Sequence, residues 1–182
     1  MIIKRFLLLL LLFVMPVFSA DDVHVMSNTA EYERAIAVIQ PTEGNTVYGV
    51  FRFEQLPDGV KVSAVLTGLT PNQNHGVHIH EWGDLTDLKT GKSAGGHYNP
   101  DKHPHGLPPN PIRHAGSFGN IKANDKGEAM FQFIDETITI MGRKNPIIGR
   151  SVVVHANEDT GEQPAGNAGP RIGLGVIGVL RN

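Results

Sequence analysis

Eight short β-prone runs, none longer than eight residues, punctuate the chain: YERAIAVI, TVYGVFRF, VKVSAVL, HGVHIH, AMFQF, TITI, SVVVH and GVIGVL. Several alternate apolar and polar residues. Turn chemistry such as Pro57-Asp58-Gly59 and Asp125-Lys126-Gly127 separates them. About eight antiparallel strands of this length pack as a sandwich or a flattened barrel, and the sequence shows no long helical period, fixed-length repeat or linker. At 182 residues the chain has material for one well-buried domain, and a second would be cramped. The class expected is all-β.

Two segments break the strand rhythm. Glu81 to Gly119 carries five prolines and four histidines, and Ala156 to Ile172 is rich in glycine and polar residues. Loops longer than about 12–15 residues are uncommon in compact domains unless they are functional, which makes these two the expected working parts.

The N-terminus reads differently. Lys4 and Arg5 precede an apolar run from Phe6 to Met15, followed by Pro16 and the small residues Ser19 and Ala20. The run is shorter than the roughly 20 residues of a spanning helix, so residues 1–20 read as a cleaved export signal and residues 21–182 as the mature domain, with an uncleaved anchor as the alternative. This implies a periplasmic or extracellular protein without stable membrane association after cleavage. Losing Lys4 and Arg5 moves the formal charge from −2 to −4, which gives no basis for nucleic-acid binding. The chain has no cysteine, so neither a disulfide framework nor a lipidated cysteine is possible.

The histidines are clustered, eight of the nine lying between His75 and His155. Side chains two apart on a strand project to one face, so His78 and His80 can approach one ion together, and His155 offers a third ligand from another strand. His97, His105 and His114 are spaced by eight and nine residues in the long loop, a spacing that can wrap a second ion. Neutral imidazole suits copper and zinc, and the absence of thiols argues against iron–sulfur clusters and cysteine-type zinc sites.

The stretches HGVHIHEWGD, SAGGHYNP, IIGRSVVVHANEDTG and GNAGPRIGLGVIG resemble the copper/zinc superoxide dismutases, and the similarity runs from RAIAVI to GVIG. The resemblance implies a Greek-key β-sandwich. It also implies copper held by His78, His80, His97 and His155, zinc held by His97, His105 and His114, and His97 bridging the two ions. Asp159 would tie His78 to His105 through their outer ring nitrogens, His75 would be a structural hydrogen-bond donor, and Arg171 would hold the anionic substrate. The implied reaction oxidises one superoxide to oxygen and reduces a second, with two protons, to hydrogen peroxide, His97 taking up and returning a proton. A homodimer is a further possibility of the same resemblance. His103 has no counterpart and is expected to be exposed.

Three departures from the family pattern stand out. Ser117 occupies the place of the aspartate that follows the last zinc histidine by three residues, and a neutral serine is a poor zinc ligand. Water, Asp101 or His103 is therefore expected at the fourth position, with zinc lost to chelators sooner than copper. Gly91 and Leu174 stand where the family has its disulfide cysteines. The segment Ala156 to Pro170 is short for the loop that shapes the substrate channel, so its guiding charges do not carry over. Two other classes remain open from sequence: a secreted copper carrier or store, which copper-loaded turnover would separate, and an inert adhesive sandwich, which would bind no stoichiometric metal.

Overall fold

A computed structural model describes residues 32–181 of the chain. The expected export signal lies outside the described residues. Among these residues are eight strands: β1 (Arg34–Pro41), β2 (Tyr48–Leu56), β3 (Gly59–Thr67), β4 (Asn74–His80), β5 (Ser117–Lys122), β6 (Ala129–Asp135), β7 (Ser151–His155) and β8 (Arg171–Val179). One short 3₁₀ turn, Lys92–Ala94, interrupts the loop between β4 and β5. No helix among them is long and apolar enough to cross a membrane.

All pairings are antiparallel, in the order β5-β4-β7-β8-β1-β2-β3-β6. Strands β4 and β7, β8 and β1, and β3 and β6 are neighbours without being consecutive, which is the Greek-key signature. The edge strands β5 and β6 are not hydrogen-bonded to each other, but Phe118 on β5 meets Phe133 on β6 with ring centroids 5.2 Å apart. Side chains thus close what the backbone leaves open, and the sheet forms a flattened, nearly closed barrel.

Burial shows where the site sits. On β1 to β3 the alternation is clean: Ala35, Ala37, Ile39, Phe51, Phe53, Val60, Val62 and Leu66 point inward, and their neighbours are more exposed. Strands β4 and β7 are instead buried on both faces. Val77, Ile79, Val152 and Val154 join the main core, whereas Val153 packs with Ala94 and Leu174 in a second cluster under the long loop. The loops cover the outer face of these two strands, the face that carries His78, His80 and His155.

Two expected elements are different in the structure. TITI is not a strand: the N–H and Oγ1 of Thr137 donate to Oδ1 of Asp135 at 2.7 and 2.6 Å, turning the chain as β6 ends. Its alternation is satisfied by burial of Ile138 and Ile140, with one isolated bridge from Thr139 to Pro146. Conversely, β5 starts at Ser117, inside the segment read as loop. Ser117 to Asn120 carry no β-branched residue and include Gly119 at φ 75°, where the register with β4 shifts, so strand form here depends on pairing with β4.

Candidate metal centre

The period-2 alternation of β4 puts His78 and His80 on the loop-covered face, and β7 adds His155 across the sheet. The long loop then returns to the end of β4: the N–H of Tyr98 donates to the Ile79 carbonyl at 2.9 Å, and His80 and His97 form an isolated bridge. This stacks the His97 ring on His78 with centroids 3.8 Å apart. One nitrogen from each of His78, His80, His97 and His155 falls within a set whose members all lie within 4.8 Å of one another.

Hydrogen bonds on the outer ring nitrogens fix the tautomers. His80 Nδ1–H donates to the Gly95 carbonyl and His155 Nδ1–H to the Gly169 carbonyl, both at 3.0 Å. His78 Nε2–H donates to Asp159 Oδ2 at 2.7 Å. The opposite nitrogens then converge as lone-pair donors, with Nε2 of His80 and Nε2 of His155 3.4 Å apart. His78 Nδ1 is the one buried side-chain nitrogen or oxygen among the described residues with no hydrogen-bond partner. An orphaned buried polar atom costs about 1–3 kcal/mol, and a metal ion at this point removes that cost. The residues present therefore fit a metal.

Electrostatics favours the same form of the rings. Burial is the largest cause, reinforced by neighbouring rings. It lowers the pKa of His78 and His97, puts that of His80 well below its ordinary value, and brings His155 down to about 3 and His114 down to about 4. Near neutral pH these five are neutral imidazoles, the state that ligates metals.

A second set joins His97, His105 and His114, again with donor atoms within 4.8 Å of one another. Nδ1 of His97 lies 3.3 Å from Nδ1 of His114, which leaves Nε2 of His97 for the first set. Asp159 connects the two sets: besides His78 it accepts from His105 Nε2–H at 2.9 Å. Its own burial opposes ionisation, but hydrogen bonds from His105, His78 and the Gly161 N–H outweigh it and hold the carboxyl below its usual range. Asn120 pins the backbone of Asp159 from both sides, accepting from its N–H at 2.8 Å and donating to its carbonyl at 2.9 Å.

Ser117 is fully buried beside the second set, with Oγ 3.5 Å from Nδ1 of His105. Asp101 and His103 do not join it. Asp101 accepts from Asn145 at 2.9 Å, and His103 Nδ1 faces the Arg113 carbonyl at 3.3 Å. His103 is half-buried rather than exposed as expected, because Asn99 also clasps its backbone on both the N–H and the carbonyl.

His75 is fully buried and donates through Nδ1 to the His155 carbonyl at 2.9 Å, a position that suits a structural role. Arg171 forks onto the carbonyls of Gly91 and Gly95 at 2.5 and 2.6 Å. It lines a cleft of about 600 Å³ together with His80, His97 and His155. Gly91, the absent cysteine's position, thus supports the guanidinium. Sequence reasoning did not find Asn120, the carbonyl acceptors Gly95 and Gly169, or Gln163. The last clamps the backbone of His105, accepting from its N–H at 2.9 Å and donating to its carbonyl at 2.8 Å. The glycine-rich SAGG and GNAG stretches were a usable signal for close backbone approach; a lone glutamine carries none.

Comparison with known proteins agrees with this architecture. The model of the copper/zinc superoxide dismutase family matches residues 47–177. A superoxide dismutase [Cu-Zn] of Paramecium bursaria Chlorella virus 1 is 41% identical over 182 residues, covering 96% of this chain and 94% of that protein. Superoxide dismutases [Cu-Zn] of Saccharomyces cerevisiae and Humicola lutea are 42% and 41% identical over 155 residues, each covering 80% of this chain and 97% and 98% of those proteins. The chain belongs to the copper/zinc superoxide dismutase family.

Proposed function

We propose that the chain dismutes superoxide to oxygen and hydrogen peroxide, with copper held by His78, His80, His97 and His155 and zinc by His97, His105 and His114. The observation that carries this reading is the sharing of His97 between the two donor sets. A carrier or store needs no imidazole common to two ions, nor an arginine held beside an open cleft. Copper bound to the first set would supply the one-electron redox chemistry that both halves of the dismutation need. The residues of the chain do the rest. Arg171, fixed by two carbonyls, orients the anion by charge-assisted hydrogen bonds. His97 would take up one of the two protons at Nε2 when that nitrogen is not engaged with the metal and return it to the departing peroxide, with solvent in the cleft supplying the other. Asp159 holds His78 and His105 in the tautomers that present Nδ1 inward.

Residues 1–20 are read as an export signal and the mature protein as periplasmic or extracellular, on the cationic start, short apolar run and small residues at the proposed cleavage site. A homodimer is supported by exposed Val38 and Val176 on neighbouring strands β1 and β8. Val38→Glu should then yield a monomer in sedimentation.

The decisive test is metal analysis of purified protein alongside superoxide turnover after loading with copper and zinc. Stoichiometric copper with rapid turnover is expected. Tight copper binding with negligible turnover would replace the enzyme by a copper carrier.

A further inference from the structure

Ser117 opens β5 wholly buried, so its hydroxyl meets only what the long loop brings to it. Oγ lies 3.5 Å from Nδ1 of His105, the nitrogen left free once Nε2–H of that ring donates to Asp159. The Nδ1 atoms of His97 and His114 are 3.3 Å apart. A tetrahedral ion with bonds of about 2.0–2.1 Å sets its ligand atoms about 3.3–3.4 Å from one another, so both separations are close to tetrahedron edges. Building on the reading of the three histidines as zinc ligands, we propose that Oγ of Ser117 is itself the fourth ligand, making a site of three imidazoles and one hydroxyl.

The position of the hydroxyl is set by the neighbours of the ligands. The N–H of Ser117 donates to the His114 carbonyl at 3.0 Å, and its own carbonyl accepts from Arg113 Nε at 3.1 Å. The Arg113 guanidinium is anchored at 2.7 Å on Asp135, buried on β6. The strand register and this ion pair therefore hold Ser117 facing His105. Asp101 and His103, the two loop residues expected to compete for the fourth place, are engaged with Asn145 and with the Arg113 carbonyl. The site keeps four protein donors but lacks the carboxylate charge, so its zinc is held less firmly than a carboxylate would hold it, and more firmly than three histidines alone.

The absence of cysteine from the chain makes the test clean. Ser117→Cys puts one thiol at the proposed corner, and a thiolate bound to Co(II) gives intense near-ultraviolet charge-transfer absorption that no other side chain here can supply. Metal-free wild type and Ser117→Cys are titrated with Co(II), and the titration is repeated with His80 also replaced by Ala so that the first set does not contribute. Visible Co(II) bands are expected in both proteins, with the charge-transfer band in Ser117→Cys alone. In parallel, Ser117→Ala should weaken zinc binding by about 10- to 100-fold in competition with a chelator, the range by which even a ligand's outer partners change metal affinity. Visible bands in Ser117→Cys without charge transfer, or zinc affinity unchanged in Ser117→Ala, would overturn the ligand role of Ser117. Failure of the wild type itself to bind Co(II) and zinc at this set would instead overturn the three-histidine reading beneath it.

Discussion

Gly166 packs against the carboxylate of Asp159 so closely that no side chain fits between them. A Cβ at Gly166 would overlap Oδ1 of Asp159 and lie 2.7 Å from Nε2 of His105, and the residue sits at φ 73°, where only glycine is at ease. Glycine is thus a structural requirement of the bond that joins the two metal sets.

Gly166→Ala should therefore do more than add backbone strain. The left-handed conformation alone costs about 1–2 kcal/mol. Displacement of Asp159 should also release His105 and speed zinc loss to a chelator. Gly44→Ala is the control: at φ 79° a Cβ there meets nothing within 4 Å. Both variants should melt earlier, and only Gly166→Ala should lose zinc faster. Equal zinc retention in the two would mean that Asp159 does not hold His105 for the metal.

His80 brings Nε2 to the first set and spends its other nitrogen on the Gly95 carbonyl. His80→Ala should remove most bound copper and abolish dismutation while leaving the β-sheet circular dichroism intact, since the core face of β4 is built from Val77 and Ile79. Full activity in this variant would end the copper assignment.

The sequence made the site more legible than the strands. Period-2 alternation put His78 and His80 on one face without any knowledge of the partner strand, and the glycine-rich neighbours of His97 and Arg171 marked places where backbone must come close. What it could not show was pairing. SFGN has only a weak local β signal, Phe118 alone, and β5 exists because β4 offers it a ladder; TITI has a strong signal, but Asp135 caps Thr137 and turns the chain away. Likewise, the partners of Ser117 become visible only when β5 is laid beside the loop. A serine in place of a carboxylate reads as a defect until its hydroxyl is found at ligand spacing from His105.

Arg171 is held by two carbonyls through separate nitrogens of its planar fork, an orientation that the single rotatable ammonium of a lysine does not fix. Arg171→Lys should keep the charge but lose the orientation, lowering turnover about tenfold. Arg171→Glu should lower it by about 100-fold or more, on the scale of one or two charge-assisted hydrogen bonds. Copper content should be unchanged in both. Activity of the wild type should also fall as salt is raised through physiological strength, where screening shortens to about 8 Å. Equal turnover in all three proteins would make Arg171 a structural residue, and a flat salt profile would remove steering from the mechanism.

The metal-free protein should be acid-sensitive in a defined window. Burial lowers the folded-state pKa of His78 and His80 and brings that of His155 down to about 3, whereas the unfolded chain protonates its histidines near 6.5. Between those values the unfolded state binds more protons, so stability is fully present above pH 6.5 and declines as pH falls below it. Each such ring costs up to about 1.4 kcal/mol per pH unit, and neighbouring rings share the effect rather than adding it in full. Asp159 adds to the loss lower down, because its folded pKa lies below the ordinary carboxylate value and its stabilisation disappears as the pH drops through that range. Thermal unfolding of the metal-free protein should shift steadily downward from pH 6.5 to pH 4.5. The copper- and zinc-loaded protein should hold its midpoint to lower pH and then lose metal and midpoint together, since protons must displace the ions from the same nitrogens. A midpoint of the metal-free form that does not move between pH 6.5 and pH 4.5 would show that these imidazoles are not held neutral by burial, and would remove the preformed, lone-pair-inward cluster on which the copper assignment rests.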